Sequence, residues 1–358
     1  MAFLRHAEHH YRRPDGSPTN EVAQYKQTFR LVRTLFGPTP AREFGPRSLK
    51  DLRQAMVETG WSRKLVNQRV GLVRRVFKWA SSEELLPVAV HQALATVQGL
   101  QVGRTRARET DPVGPVDDAT VESTLAHLNR HVRGLVQFQR LTGCRPGEAC
   151  AVRRCDIDTG GAVWQYKPAQ HKTVWRGKRR VIAIGPQAQA LLEEYFTPDA
   201  EDYLFSPRKA VTELHAARAE NRKTPRYYSH VRRNAARRVA TPARPPAEKY
   251  AVTAYEHAIA RACDKAFPAP EPIGRREGES LREWRERLTD AQRADLAAWQ
   301  SSYRWAPNQL RHLFATEVRR AHGLEAAQVL LGHSRADVTQ VYAERDTALA
   351  TSVAAEIG

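Results

Sequence analysis

The sequence predicts a mainly α-helical protein of two domains, the second carrying a small antiparallel β-sheet, an α+β architecture. Three observations lead there. Apolar residues recur at steps of three and four, as in Val22, Tyr25, Phe29, Val32 and Phe36, which lays them on one helix face. Short runs at Cys155–Asp158, Ala162–Tyr166 and Arg180–Ile184 read as three strands. Residues 104–116, with their Gly, Pro and alternating charges, read as a linker between the domains. A chain of 358 residues is long enough to bury more than one core.

Taken in order, residues 1–18 read as a flexible start, with Pro14, Gly16 and Pro18. A helical domain follows over 19–103. Thr19 or Asn20 caps its first helix and Gly37-Pro38 stops it. Ser48 opens a second helix and Gly60 closes it. Ser62 opens a third, which buries Val66, Val70, Val73 and Phe77 and turns Arg63, Lys64, Arg69, Arg74, Arg75 and Lys78 outward. A short fourth helix covers 87–98. In the second domain, 117–345, Asp117 or Asp118 caps a helix and Leu135–Leu141 belongs to another. Beyond the strands, Pro186 fits the first position of a helix over 186–196. Residues 208–249 read as a basic loop or extended insertion containing Tyr227 and Tyr228. Helix resumes over about 252–266, a charged helical insertion covers 274–300, and two or three compact helices fill 307–345. Residues 346–358 form a tail. No internal repeat or low-complexity tract is present.

Charge narrows the function classes. Lys and Arg number 57 against 39 Asp and Glu, a formal net charge of +18 with pI ≈ 10.1. Residues 1–105 carry +9 and residues 208–249 another +9, against +1 for 106–207 and −1 for 250–358. A charge run is ordinarily a solvated face. Two basic blocks separated by near-neutral sequence fit a grip on a polyanion at two places, nucleic acid first and an acidic membrane surface second. No apolar run approaches the ~18 residues of a membrane span, and the N-terminus lacks the apolar stretch of a secretory signal. Cys144, Cys150, Cys155 and Cys263 show neither paired spacing nor a zinc-finger pattern, which argues against disulfides and structural zinc. Cys144, Cys150 and Cys155 read as buried thiols. The expected location is the cytoplasm.

Four stretches of the second domain each set a cationic or hydrogen-bonding side chain beside a turn. They are Leu141-Thr142-Gly143-Cys144-Arg145-Pro146-Gly147-Glu148, His171-Lys172-Thr173, Asn308-Gln309-Leu310-Arg311-His312 and Leu331-Gly332-His333-Ser334. Tyr342 follows His333 within Val338-Thr339-Gln340-Val341-Tyr342. Singly these are weak: Gly332 reads equally as a left-handed helix cap, and Tyr342 as a core tyrosine. In this order and spacing they resemble the tyrosine recombinase, or phage integrase, family. That family has an Arg in a TGxRxxE turn, a Lys in a β-hairpin, an HxLRH helix start, an LGH turn and then a Tyr. The resemblance covers the whole second domain, while the N-terminal domain resembles the family's helical core-binding domain more loosely.

The resemblance implies a two-domain DNA clamp that cleaves and rejoins duplex DNA. It assigns catalysis to Arg145, Lys172, Asn308, Arg311, His333 and Tyr342. Tyr342 attacks a phosphodiester and leaves a 3′-phosphotyrosine and a free 5′-hydroxyl. Arg145 and Arg311 bind the non-bridging oxygens through planar forks, Lys172 protonates the leaving oxygen and His333 donates to a phosphate oxygen. Bond energy is kept in the covalent link, so neither ATP, metal nor other cofactor is implied. Backbone contacts fall to Lys64, Arg69, Arg74 and Arg75 in the first domain and to Arg232, Arg233, Arg237 and Arg238 in the insertion, which lies along phosphates without reading bases. The implied assembly is a homotetramer on two DNA sites, with accessory DNA-bending or directionality factors, in a nucleoid-associated protein of a mobile element. Leu349, Val353 and Ile357, spaced by fours, place the tail either on a neighbouring protomer or on its own domain.

One position departs from the pattern. Asn308 stands where the family usually has His, and an amide donates a hydrogen bond but exchanges no proton near neutral pH. Two alternatives therefore stay open beside a recombinase: a non-catalytic or weakened recombinase-derived DNA-binding protein, and a type IB topoisomerase-like relaxing enzyme.

Overall fold

The computed structural model describes residues 2–13, 15–169, 180–225, 227–237, 239, 243 and 245–332. They fall into two compact units, Met1–Pro112 and Val113–Gly358.

The first unit holds five α-helices among its described residues: α1 (Ala2–His10), α2 (Glu21–Phe36), α3 (Pro46–Glu58), α4 (Arg63–Ser82) and α5 (Val88–Ala95). The expected flexible start is in fact partly helical. Phe3 and Ala7 of α1, one turn apart, are buried, and the Phe3 ring meets Tyr25 edge-on at 4.7 Å and Trp79 at 5.3 Å. Burying one phenylalanine is worth about 1.5–3 kcal/mol, enough to pin a nine-residue helix whose apolar pattern is too short to read in sequence. The second predicted start also shifts. Ser48 lies inside α3, which opens at Pro46, because proline's fixed φ and missing N–H suit a first helical position. Ser62 caps α4 as expected, its hydroxyl accepting from the Leu65 amide at 3.4 Å. Leu49, Leu52 and Met56 of α3 pack on Val66, Val70 and Val73 of α4.

The second unit is built around α7 (Arg130–Thr142), preceded by α6 (Asp118–Leu125) and followed by the short α8 (Pro146–Cys150). Asp117, rather than Asp118, caps α6. The antiparallel sheet runs in the order β1 (Ile157–Asp158), β2 (Trp164–Tyr166), β3 (Ile182–Ile184), pairing Ile157 with Tyr166 and Trp164 with Ile184. Then come α9 (Pro186–Glu193), α10 (Pro207–Glu220), α11 (Tyr228–Arg237), α12 (Val252–Ala266), α13 (Leu281–Arg287), α14 (Asp290–Tyr303) and α15 (Pro307–Leu331). Val132, Leu135, Val136 and Phe138 of α7 share one core with Tyr166, Ile182, Ile184 and Tyr255.

The insertion expected as loop or extended chain contains α10 and α11. Neither helix buries a residue, so the periodic buried face that betrays a helix in sequence is missing, and Ala and Arg propensity carries α11 instead. Cys155, expected buried, is exposed, whereas Cys144, Cys150 and Cys263 are buried. Its place in a short turn ahead of β1 takes its side chain out of the core.

One break in α15 positions the site. Gly323 has φ +83° and ψ 173°, and the helix divides there. An unbroken helix would part residues 311 and 331 by about 30 Å. Instead, the Arg311 guanidinium reaches the Leu331 carbonyl at 2.8 Å.

Candidate functional site

The two predicted arginines of the second unit converge through the turn after α7. Gly143 ends α7 in the left-handed conformation, φ +59°, and a Cβ there would lie 2.2 Å from a Phe314 ring carbon, so glycine is required twice over. Arg145 follows as the N-cap of α8. Its backbone N–H donates to Glu148 Oε2 at 2.9 Å and its Nη1 to Glu148 Oε1 at 2.9 Å. Arg145 keeps its side chain 29% exposed, while Glu148 is only 3% exposed.

Arg311 is fully buried. Nη1 donates to the Gly143 carbonyl at 2.6 Å and Nη2 to the Leu331 carbonyl at 2.8 Å. Both acceptors lie at helix C-termini, where carbonyls lack partners in their own helix and the backbone dipole favours a cation. One guanidinium thereby ties the end of α7, and so the Arg145 turn, to the end of α15. Gly332 caps α15 in the left-handed conformation, φ +65°. Asn308 sits in the first turn of α15, its Nδ2 3.4 Å from Nε2 of the buried His312.

Sequence reasoning leaves two members of this cluster without a role. Glu148 enters there only as the end of the TGxRxxE turn. Arg180, just before β3, is 8% exposed, with Nη1 donating to the Leu330 carbonyl at 3.3 Å and Nε 3.8 Å from Glu148 Oε1. Burial holds this guanidinium below the usual arginine value, against the pull of Glu148. The signal lies in strand alternation: Arg180 shares the two-residue period of Ile182 and Ile184, all three buried, with Val181 and Ala183 exposed between them. Cys144, enclosed beside these groups, is pushed up to about 12 by burial and then by the Glu148 charge, so its thiol stays protonated at neutral pH.

Lys172, His333, Tyr342 and Arg238, together with the tail 346–358, lie outside the described residues. Lys64 and Arg75 of α4 are exposed and Arg74 is partly exposed. Arg69, expected outward, is buried instead. It is 7% exposed, with Nη2 donating to Gln27 Oε1 at 2.8 Å and Nη1 to Gln24 Oε1 at 3.5 Å. Its helical position falls beside Val66, Val70 and Val73, on the packed side of α4, so it joins α4 to α2 and does not face solvent. Arg232, Arg233 and Arg237 are exposed on α11, beside Tyr227 at 58% and Tyr228 at 80% exposure.

No protein-family model and no curated protein matches the chain. Solved structures do. The chain is similar to the Tn1549 transposon integrase in complex with circular intermediate DNA, with TM-score 0.57 and 16% identity over 100% of this chain and 97% of that one. Lambda integrase, solved as a dimer bound to a core site, is similar at TM-score 0.59 and 13% identity, over 96% of this chain and 76% of that one. The XerH site-specific recombinase, bound to a palindromic substrate in a post-cleavage complex, gives TM-score 0.52 and 13% identity over 91% and 76%. All three are tyrosine recombinases, and the fold of this chain is theirs. Among the described residues no helix is long and apolar enough to cross a membrane.

Proposed function

We propose that this protein is a site-specific DNA recombinase that cleaves and rejoins duplex DNA through a 3′-phosphotyrosine. The observation that carries the reading is the junction of the two arginines: Arg311 grips the carbonyl of Gly143, two residues before Arg145. In a recombinase fold, an Arg145 guanidinium on a turn fixed in this way suits the non-bridging oxygens of a phosphate. Such a fixed donor array stabilises the dianionic transition state without reorganising as charge develops. Arg145, the more exposed of the two, approaches the phosphate, and Arg311 sets the turn from behind.

In this reading Tyr342 is the nucleophile. Its phenol, of ordinary pKa ~10, loses its proton as it attacks, and the surrounding cations favour that loss. Lys172 delivers a proton to the departing 5′-oxygen, and His333, directly after the Gly332 cap, donates to a phosphate oxygen. The P–O bond to the 5′-oxygen breaks as the bond to the tyrosine oxygen forms, so rejoining is the same step reversed and no energy source is needed. Lys64, Arg74 and Arg75 in one unit, and Arg232, Arg233, Arg237 and Arg238 in the other, hold the phosphate backbone. Four protomers on two DNA sites exchange strands in pairs, aided by accessory factors, and the protein works at the nucleoid.

A nicked suicide-substrate screen on DNA flanking the gene tests this. Wild-type protein should give a covalent protein–DNA adduct that survives denaturation and excess EDTA, and Tyr342→Phe should give none while still binding DNA. Adducts formed by Tyr342→Phe would place the nucleophile elsewhere. Adduct formation with relaxation of any supercoiled plasmid would favour the topoisomerase-like enzyme, and site-specific binding without adduct the non-catalytic binder.

A further inference from the structure

Glu148 faces two guanidiniums and hydrogen-bonds only one, the other being held at ion-pair distance. Both of its oxygens serve Arg145, through the backbone N–H and Nη1, each at 2.9 Å. Arg180 waits behind with Nε 3.8 Å from Oε1, beyond hydrogen-bond distance. Among the described residues, neither Nε nor Nη2 of Arg180 has a hydrogen-bond partner, although both atoms are sealed from solvent. A buried N–H left unpaired is costly, and native structures rarely tolerate one without a reason. Arg180 is not free to turn to water instead. Nη1 is held by the Leu330 carbonyl, and the chain packs so tightly that a Cβ on Gly332 would lie 2.2 Å from that nitrogen.

We propose that Glu148 is handed from Arg145 to Arg180 when a phosphate binds, which makes Arg180 a positioning residue for the reaction. A phosphate oxygen competes with Glu148 Oε1 for Arg145 Nη1. Without a second cation, success would strand a buried carboxylate oxygen, and one unpaired buried charge destabilises strongly. Arg180 removes that obstacle. Once Oε1 leaves Arg145, it closes on Nε and Nη2 of Arg180, and the donors unmet in the free protein become paired in the bound one. The Arg145 backbone N–H keeps its bond to Oε2, so the turn stays in place while the side chain changes partner. Because Arg180 also holds Leu330, the exchange is coupled to the turn that leads to His333. No covalent bond changes and no proton moves.

The inference rests on the recombinase reading for its role but is tested apart from it. Full-length protein crystallised with inorganic phosphate should show the anion on Arg145, with Arg180 Nε within about 3.2 Å of Glu148, hydrogen-bond distance. Phosphate bound elsewhere, or Glu148 still on Arg145 Nη1 with phosphate present, overturns the handover. Kinetics supply the second arm. Arg180→Met should slow single-turnover adduct formation by at least about tenfold. Arg180→Lys, which keeps the charge but loses the fork, should fall between that variant and wild type. Folded Met and Lys variants that lose equally, or a Met variant as fast as wild type, would reduce Arg180 to packing. Absence of adduct from wild-type protein would count against the recombinase reading alone, leaving the phosphate complex to decide the handover.

Discussion

Arginine does two different jobs in the second unit. Around the α7 turn, the Arg145 side chain is 29% exposed while Arg180 and Arg311 are buried, each held by carbonyls or by Glu148. On α11, Arg232, Arg233 and Arg237 stand in solvent on a helix that buries nothing. A buried cation is fixed before its target arrives, and its interactions are little screened by salt. An exposed one is hydrated, mobile in its rotamers and screened within a Debye length. The first arrangement suits chemistry on one phosphate, the second affinity for many.

That contrast breaks most sharply in the turn. Arg145→Ala should leave DNA affinity near wild type and slow adduct formation by roughly 10²–10³-fold, the usual effect of removing one donor from a developing oxyanion. Arg311→Ala should slow it as much and also destabilise the fold, because the buried Gly143 and Leu331 carbonyls each lose a partner at about 1–3 kcal/mol. Single-turnover cleavage read beside thermal melting separates the two. An Arg145→Ala variant with intact cleavage and weakened binding would reverse the division of labour.

The exposed side predicts the opposite pattern. Replacing Arg232, Arg233 and Arg237 together by Gln should weaken specific and non-specific binding alike. Every phosphate that goes unneutralised takes roughly 0.9 from the slope of log affinity against log salt, so the triple variant should flatten it by up to about 2.7. Cleavage of already bound DNA should be unchanged. An unaltered slope would mean that α11 faces something other than DNA.

How far the sequence reveals this division depends on burial. Helices and strands with one buried face are readable, because Tyr25 or Ile182 recur at the period of their element. The N-cap at Ser62 and the left-handed cap at Gly332 are readable from local chemistry. α11 is not, since it has no buried face to mark its period, and α1 is too short to show one. Within the site, the TGxRxxE turn and the start of α15 stand out as patterns, but Arg180 does not. Its place lies in an alternation whose significance appears only once β3 is seen to end against α15. Arg69 misleads for the converse reason: its charge suggests the outward face, although its position three residues after Val66 and one before Val70 puts it on the packed side of α4.

Arg69 and Arg75, six residues apart on α4, repeat the comparison in the first unit at smaller scale. Arg69→Ala should lower stability by about 1–3 kcal/mol, since Gln24 and Gln27 lose a buried partner, with no change in salt slope. Arg75→Ala should cost no more than about 1 kcal/mol, for its contact with the Tyr25 ring 6.0 Å away, and flatten the slope by up to about 0.9. Chemical denaturation and salt-titrated binding on the two variants read both quantities. A flattened slope for Arg69→Ala would put its guanidinium on DNA after all.

The smallest effect is expected at Asn308, where the chain departs from the pattern it otherwise follows. Asn308 is half-buried in the first turn of α15, with its amide nitrogen 3.4 Å from His312 Nε2. An amide there can hold a phosphate oxygen by hydrogen bond and needs no proton exchange to do so. Were a proton carrier essential at this position, its loss would cost roughly 10²–10⁴-fold. A chain so handicapped would gain little from the Arg311 bridge or from a Gly143 that only glycine can fill. Asn308→His should therefore change single-turnover cleavage by less than about tenfold, or ~1.4 kcal/mol of barrier. Asn308→Ala should cost more, because it removes the donor and leaves His312 without that neighbour. Measured from pH 6 to 9, the Asn and Ala forms should share one profile shape, since neither residue titrates, and the His form should add a further bend of its own. A hundredfold gain for the His form would show a catalyst weakened at this one position, and the buried cations would then be holding a site that lacks its acid–base partner.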